Sequence, residues 1–137
     1  MGRPVPDPSP FYDRSAPMPS VEKVYAYALQ NVPGFSAVAL RVTFPPGAQH
    51  PPHRHGGASV VGCVLAGSTL NKMNDEPTML LGAGETWYEA PGCHHRVSAN
   101  ASATDELVLF ATFVIETDVW EAGGIQALVK IDDEYLT

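Results

Sequence analysis

A chain of 137 residues is the size of one ordinary domain, and 45% hydrophobic against 17% charged residues argues for a packed core and against disorder throughout. Eight Lys and Arg against fifteen Asp and Glu leave a formal charge of −7, which repels phosphate backbones and anionic lipid, so neither nucleic acid nor a membrane surface is an expected partner. No apolar run is long enough for a transmembrane helix, and the first twenty residues lack the apolar centre of a secretory signal. The expected compartment is therefore cytoplasmic, with Cys63 and Cys93 read as reduced thiols.

Residues 1–20 hold six of the thirteen prolines. Proline lacks the donor that helices and inner strands need, so this stretch reads as an extended arm. Its Phe11 and Tyr12 are either pinned on the body of the protein or on a partner subunit, or belong to a loose tail. Residues 21–137 are expected to form one domain. Residues 21–30 alternate loosely; 36–44 place Val38, Leu40, Val42 and Phe44 on one face. Residues 58–65 are almost continuously apolar and β-branched. Short runs at 68–73, 78–82 and 85–90 follow, then the longest apolar run at 106–116, and 124–131 reads as a closing strand. Turn signals bound these segments and no helical spacing recurs, so the expected fold is all-β, a sandwich or barrel with no intervening helix.

All five histidines fall in two clusters: His50, His53 and His55 in one, His94 and His95 in the other. Residues two apart in a strand share a side, so His53 and His55 aim both imidazoles at one point. The second cluster lies at the end of a later predicted strand and offers a third imidazole. Three neutral nitrogens on a divalent transition ion leave positions open for water or substrate, the layout of a catalytic site.

These residues carry a family resemblance. Gly47-x5-His53-x-His55 followed by Gly67 resembles the first signature of the cupin superfamily, and Gly84, Gly92, His95 and Asn100 resemble the second. The resemblance implies a single double-stranded β-helix barrel of the jelly-roll type, holding a divalent transition metal (Fe, Mn, Ni, Cu or Zn) on His53, His55 and His95, and a homodimer. The sequence departs from the pattern in places. Val60 occupies the position of the usual glutamate ligand, with Ser59 a poor substitute beside it. Ala90 stands where proline is usual, and Asn100 comes one residue late. The site therefore reads as three-histidine. Glu89, and less so Glu85, are the carboxylates able to approach from the strand leading to His95, and His50 and His94 are alternate nitrogens.

Three neutral imidazoles leave the full +2 of the ion uncompensated, which favours an anionic or enolisable small-molecule substrate. Fe²⁺ would lead to dioxygenase-type oxidation of an enol, phenol or diketone. Zn²⁺ or Ni²⁺ would lead to non-redox lyase, isomerase or cyclase chemistry. The missing glutamate also motivates a third reading, a non-catalytic binding barrel. Glu89 and Tyr88 are the candidate catalytic acid and base, with Tyr25 and Tyr27 offering the same from an earlier strand. Phe44, Val60, Val64, Trp87, Tyr88, Phe110 and Phe113 are candidate pocket walls. Arg41 and Arg54 are candidates to meet a substrate carboxylate. Residues 132–135 read as a solvated acidic tail.

Overall fold

The two long apolar runs of the sequence pair with each other. In the computed structural model, which describes residues 2–136, strands at Phe35–Phe44 and Leu107–Glu116 run antiparallel, with Phe44 opposite Leu107 and Phe35 opposite Glu116. In the second of these, Leu107, Leu109, Ala111, Phe113 and Ile115 point inward and are buried, while the residues between them are only partly covered. This is the period-two pattern of a strand with one face on a core.

The described residues form twelve strands: β1 (Arg3–Val5), β2 (Ser20–Ala28), β3 (Phe35–Phe44), β4 (Gln49–His50), β5 (His53–Arg54), β6 (Ser59–Ala66), β7 (Ser68–Met73), β8 (Thr78–Gly82), β9 (Thr86–Glu89), β10 (His95–Asn100), β11 (Leu107–Glu116) and β12 (Lys130–Ile131). They form two antiparallel sheets. The first has the order β1-β8-β7-β10-β5-β12, with β4 also on β10; the second has the order β2-β3-β11-β6-β9. The core lies between them in two clusters. One gathers Val38, Leu40, Val60, Phe113, Ile115 and Leu128, the other Phe44, Val64, Leu81, Leu107 and Leu109. The all-β expectation holds for the body of the chain.

It fails after β11. Residues Thr117–Gly123 form a short helix, α1, and Gly124–Leu128 continue as a 3-10 turn. The expected closing strand at 124–131 shrinks to the two residues of β12. Gly124, at φ 60°, ends the helix in a conformation that disfavours other residues. The 3-10 turn then drives Leu128 to complete burial, so its apolar residue serves as a plug instead of a ladder member. Residues 132–135 are not a solvated tail either. The Asp132 amide donates to Pro52 O and its carboxylate accepts from His94, and Tyr135 packs edge-on against Tyr12.

The proline-rich segment runs along the first sheet. β1 pairs with β8 at its edge, where Pro4 needs no donor. Asp7 accepts from Thr78 Oγ1 at 2.6 Å and from the buried Lys72 ammonium at 3.2 Å, and Phe11 lies under the Arg96 guanidinium.

Asn100 ties the turns that close the barrel. Its amide nitrogen donates to the carbonyls of Phe44, Pro45 and Asp105, and its oxygen accepts from the Ser102 amide. Replacing it with aspartate sets a buried charge against three carbonyl oxygens. Asn100→Asp is expected to cost roughly 2–4 kcal/mol in urea unfolding; a loss below about 0.5 kcal/mol would show that these bonds do not hold the turns.

Candidate metal centre

The two histidine clusters meet because β5 and β10 are neighbours. His53 is the direct cross-strand partner of His95, and His55, two residues beyond His53, faces the same way. The opposite sheet supplies a fourth group. Glu89 on β9 is the cross-strand partner of Val60 on β6. The carboxylate absent at position 60 is thus delivered from the neighbouring strand, onto the same inner face. His53, His55, Glu89 and His95 are 2–7% exposed, and one ligand atom from each lies within 4.8 Å of the others.

Each of the four has its other polar atom occupied. His53 Nδ1 donates to Pro51 O at 2.8 Å and His55 Nδ1 donates to Leu128 O at 2.7 Å. His95 Nε2 donates to Asn71 Oδ1 at 2.6 Å, and Glu89 Oε2 accepts from Trp87 Nε1 at 3.0 Å. A carbonyl oxygen only accepts, so these bonds fix the tautomers. They leave Nε2 of His53 and His55, Nδ1 of His95 and Oε1 of Glu89 as free lone pairs. Glu89 Oε1 is 3.3 Å from His55 Nε2 and 3.4 Å from His95 Nδ1. Neither contact has hydrogen-bond geometry: Glu89 Oε1 and His95 Nδ1 are fully buried atoms without a hydrogen-bond partner. Donors about 2.1 Å from a common divalent ion would stand about 3.0–3.4 Å apart at cis or tetrahedral angles. The donor set and its orphaned atoms therefore fit a transition metal with three histidines and one glutamate, in place of the three-histidine set expected from the motif.

The electrostatics agree. Burial pushes His53 well below its ordinary value, pushes His95 down, and pushes the neighbouring His50 to about 4, so all three imidazoles are neutral at pH 7. Burial raises the Glu89 carboxyl, but attraction to the imidazolium forms of His95 and His55, together with the Trp87 N–H, outweighs it and holds it at about 2. Neutral imidazoles and an ionised carboxylate are the metal-binding forms. With Glu89 included, a divalent ion keeps one positive charge in place of two.

The centre opens into a cavity of about 80 Å³ between the sheets. Phe44, Val60, Trp87 and Phe113 line it as expected, together with Val42, Leu109, Ile125 and Val129. Val64 packs in the core, while Phe110 and Tyr88 fall on the outer face. Tyr88 is 59% exposed with its hydroxyl against Ser59, because adjacent residues of a strand point to opposite sides and Glu89 takes the inner one. The structure thus brings Glu89 to the centre and not Tyr88. Tyr25 bonds Thr112 and Tyr27 is 66% exposed. Arg41 pairs with Glu22, and Arg54 donates to Gly92 O. None of these four lines the cavity, and His94 turns away to Asp132. His50 and Ser98 do line it. Sequence reasoning held His50 only as an alternate ligand and passed over Ser98, Asn71 and the Trp87 bond. Their signal is cross-strand register, which a single sequence does not print.

Gly62 faces Trp87 across the strand pair, and a Cβ there would collide with the indole. Gly62→Ala is expected to push Trp87 aside, free Glu89 and weaken metal binding by about 10–100-fold while leaving the chain folded; unchanged affinity by metal-competition titration would remove Trp87 from the site. A pH dependence also follows. Free histidine titrates near 6.5 and these buried ones lower, so between pH 6.5 and about 4 the unfolded chain binds more protons than the folded one. The urea midpoint of metal-stripped protein should be level above pH 7 and fall as pH drops from 6.5 to 4. The contribution of Glu89 is present above its ordinary 4.5 and lost only toward pH 2. A midpoint unchanged between pH 7 and 4 would contradict burial of neutral imidazoles.

No curated protein matches the chain in sequence. Among solved structures, the cupin domain of Schizosaccharomyces pombe Cnp3 superposes with a TM-score of 0.59 at 18% identity, covering 81% of this chain and 72% of that one. KdgF from Halomonas sp. gives 0.58 at 22% identity over 76% and 86%. A recombinant oxalate oxidase in complex with glycolate gives 0.57 at 23% identity over 79% of this chain and 60% of its own. At these identities the likeness is one of fold. The model of the cupin domain matches residues 40–113, which span the two histidine clusters and more than half of the sequence, so the chain belongs to the cupin family.

Proposed function

We propose that this chain is a metal-dependent oxidoreductase that acts, with O₂, on a small enol, phenol or diketone chelated at the centre. The observation that carries the reading is the set of four buried donors, His53, His55, Glu89 and His95, whose free lone pairs converge at the head of an apolar cavity. Four protein ligands leave up to two positions of an octahedral ion for substrate oxygens. The metal would supply Lewis-acid activation of the chelated oxygens and, if redox-active, the electrons for O₂ chemistry.

The protein's own part is positional. Pro51, Leu128, Asn71 and Trp87 hold the ligands in one protonation state, and the aliphatic and aromatic walls keep water from the reacting atoms. Charge and size select the substrate. No Lys or Arg lines the cavity among the described residues, so the single remaining charge of the centre is what meets an anion. A monoanionic enolate or phenolate neutralises it. A dianion would leave an unpaired charge in an apolar space. A cavity of about 80 Å³ suits a molecule of a few heavy atoms, or the head of a larger one entering past Val21 and Ile125. The fold likeness to an oxalate oxidase that binds glycolate, a small oxygen chelator, supports this substrate size.

One observation favours a second reading. His50 is a neutral imidazole lining the cavity, with rings 4.2 Å from those of His53. It is placed to take a proton from a chelated substrate, which suits a non-redox isomerase or lyase. A non-catalytic binding barrel, the third reading, was motivated by a missing carboxylate ligand, and Glu89 provides a carboxylate at the cluster.

The test is O₂ uptake by Fe²⁺-loaded protein with small β-diketones and hydroxyketones, run beside His95→Ala. The expected result is substrate-dependent O₂ consumption that falls more than about 100-fold in the variant. Conversion that proceeds equally under nitrogen would replace oxidation with the Lewis-acid reading.

A further inference from the structure

The cavity has two unlike faces. Apart from the ligand Glu89 and its partner Trp87, the second sheet presents Val42, Phe44, Leu109 and Phe113, all apolar. The first sheet presents a polar rung beside the metal ligands. Ser98 on β10 is the cross-strand partner of His50 on β4 and of Asn71 on β7. Asn71 is committed to His95. His50 Nδ1 donates to Pro51 O at 2.8 Å, sharing that carbonyl with His53, so its Nε2 is left as an acceptor. Ser98 is 7% exposed and lines the cavity, and its hydroxyl has no hydrogen-bond partner among the described residues. Its oxygen is not sealed off as Glu89 Oε1 and His95 Nδ1 are, so it is open to the cavity, where a bound ligand can pair with it.

We propose that His50 and Ser98 recognise a hydroxyl group of the substrate, which makes the substrate a chelating monoanion with one further hydroxyl toward the first sheet and an apolar body toward the second. This rests on the chelating-substrate reading above. The pair is matched to a hydroxyl in particular. A hydroxyl donates to His50 Nε2 and accepts from the Ser98 O–H in one place. A carbonyl or carboxylate oxygen would accept from Ser98 but set its lone pair against that of His50 Nε2. A methyl group would leave both unpaired. His50 and Ser98 are thus specificity-determining residues of the centre.

The test uses two small monoanionic chelators that differ by one hydroxyl, acetohydroxamate and glycolohydroxamate, titrated calorimetrically into Ni²⁺-loaded protein. The wild type should bind glycolohydroxamate roughly five- to tenfold more tightly. Ser98→Ala, a small change that leaves the ligands in place, should bring the ratio close to one, as should His50→Phe, with bound Ni²⁺ per chain unchanged by metal analysis. A wild-type ratio near one, or a ratio that survives both substitutions, overturns the proposal and leaves the chelating centre standing. If stoichiometric Ni²⁺ is bound and neither hydroxamate binds, the centre has no open positions, and the proposed function falls together with this inference.

Discussion

A carboxylate held at 2% exposure between two β-sheets must be compensated, and the rest of this molecule is arranged around that requirement at Glu89. Hydrogen bonding satisfies one oxygen, through Trp87. The other faces ring nitrogens of three histidines, each of which already spends one N–H on a carbonyl or an amide oxygen behind it. Four electron-rich atoms turned toward one point repel each other unless a cation lies there. A divalent ion resolves the conflict with ligands of ordinary type and spacing.

The barrel makes this meeting of groups possible at small cost in chain length. β5 and β10 set His53 against His95 in the first sheet, and β6 and β9 set Val60 against Glu89 in the second. Facing the sheets then closes the distance. The C-terminal turn contributes as well, since Leu128 fills the core with its side chain and orients His55 with its carbonyl. Glu89 stands directly across the strand pair from Val60, so its carboxylate reaches the same inner face from the neighbouring strand. Val60 then becomes a cavity wall.

The legible parts of the sequence were those that local chemistry decides. Period-two patterning at 36–44 and the long apolar run at 106–116 marked the strands, and the His-x-His spacing with PGCHH downstream marked the candidate ligand histidines and the family. Two kinds of feature were hidden. β11 is a central strand whose outer residues, Val108, Phe110 and Val114, are as apolar as its inner ones, so alternation left open which face Phe110 takes. The same ambiguity admitted Tyr88 beside Glu89, and parity on the folded strand separates them. The other hidden feature was register. Nothing in a linear reading shows that position 89 replaces position 60, that Asn71 backs His95, or that Ser98 and His50 share a rung. The short helix α1 escaped because a seven-residue segment shows too little periodicity to register.

Glu89, His53, His55 and His95 are arranged to hold one metal through one atom each. Anomalous diffraction from crystals of Ni²⁺-loaded protein tests it most directly. The expected result is one peak about 2.0–2.2 Å from Nε2 of His53 and His55, Nδ1 of His95 and Oε1 of Glu89, with Trp87 still on the second Glu89 oxygen. A peak bound by the histidines alone, with Glu89 turned away, or by Nε2 of His95 with its Asn71 bond broken, would contradict it.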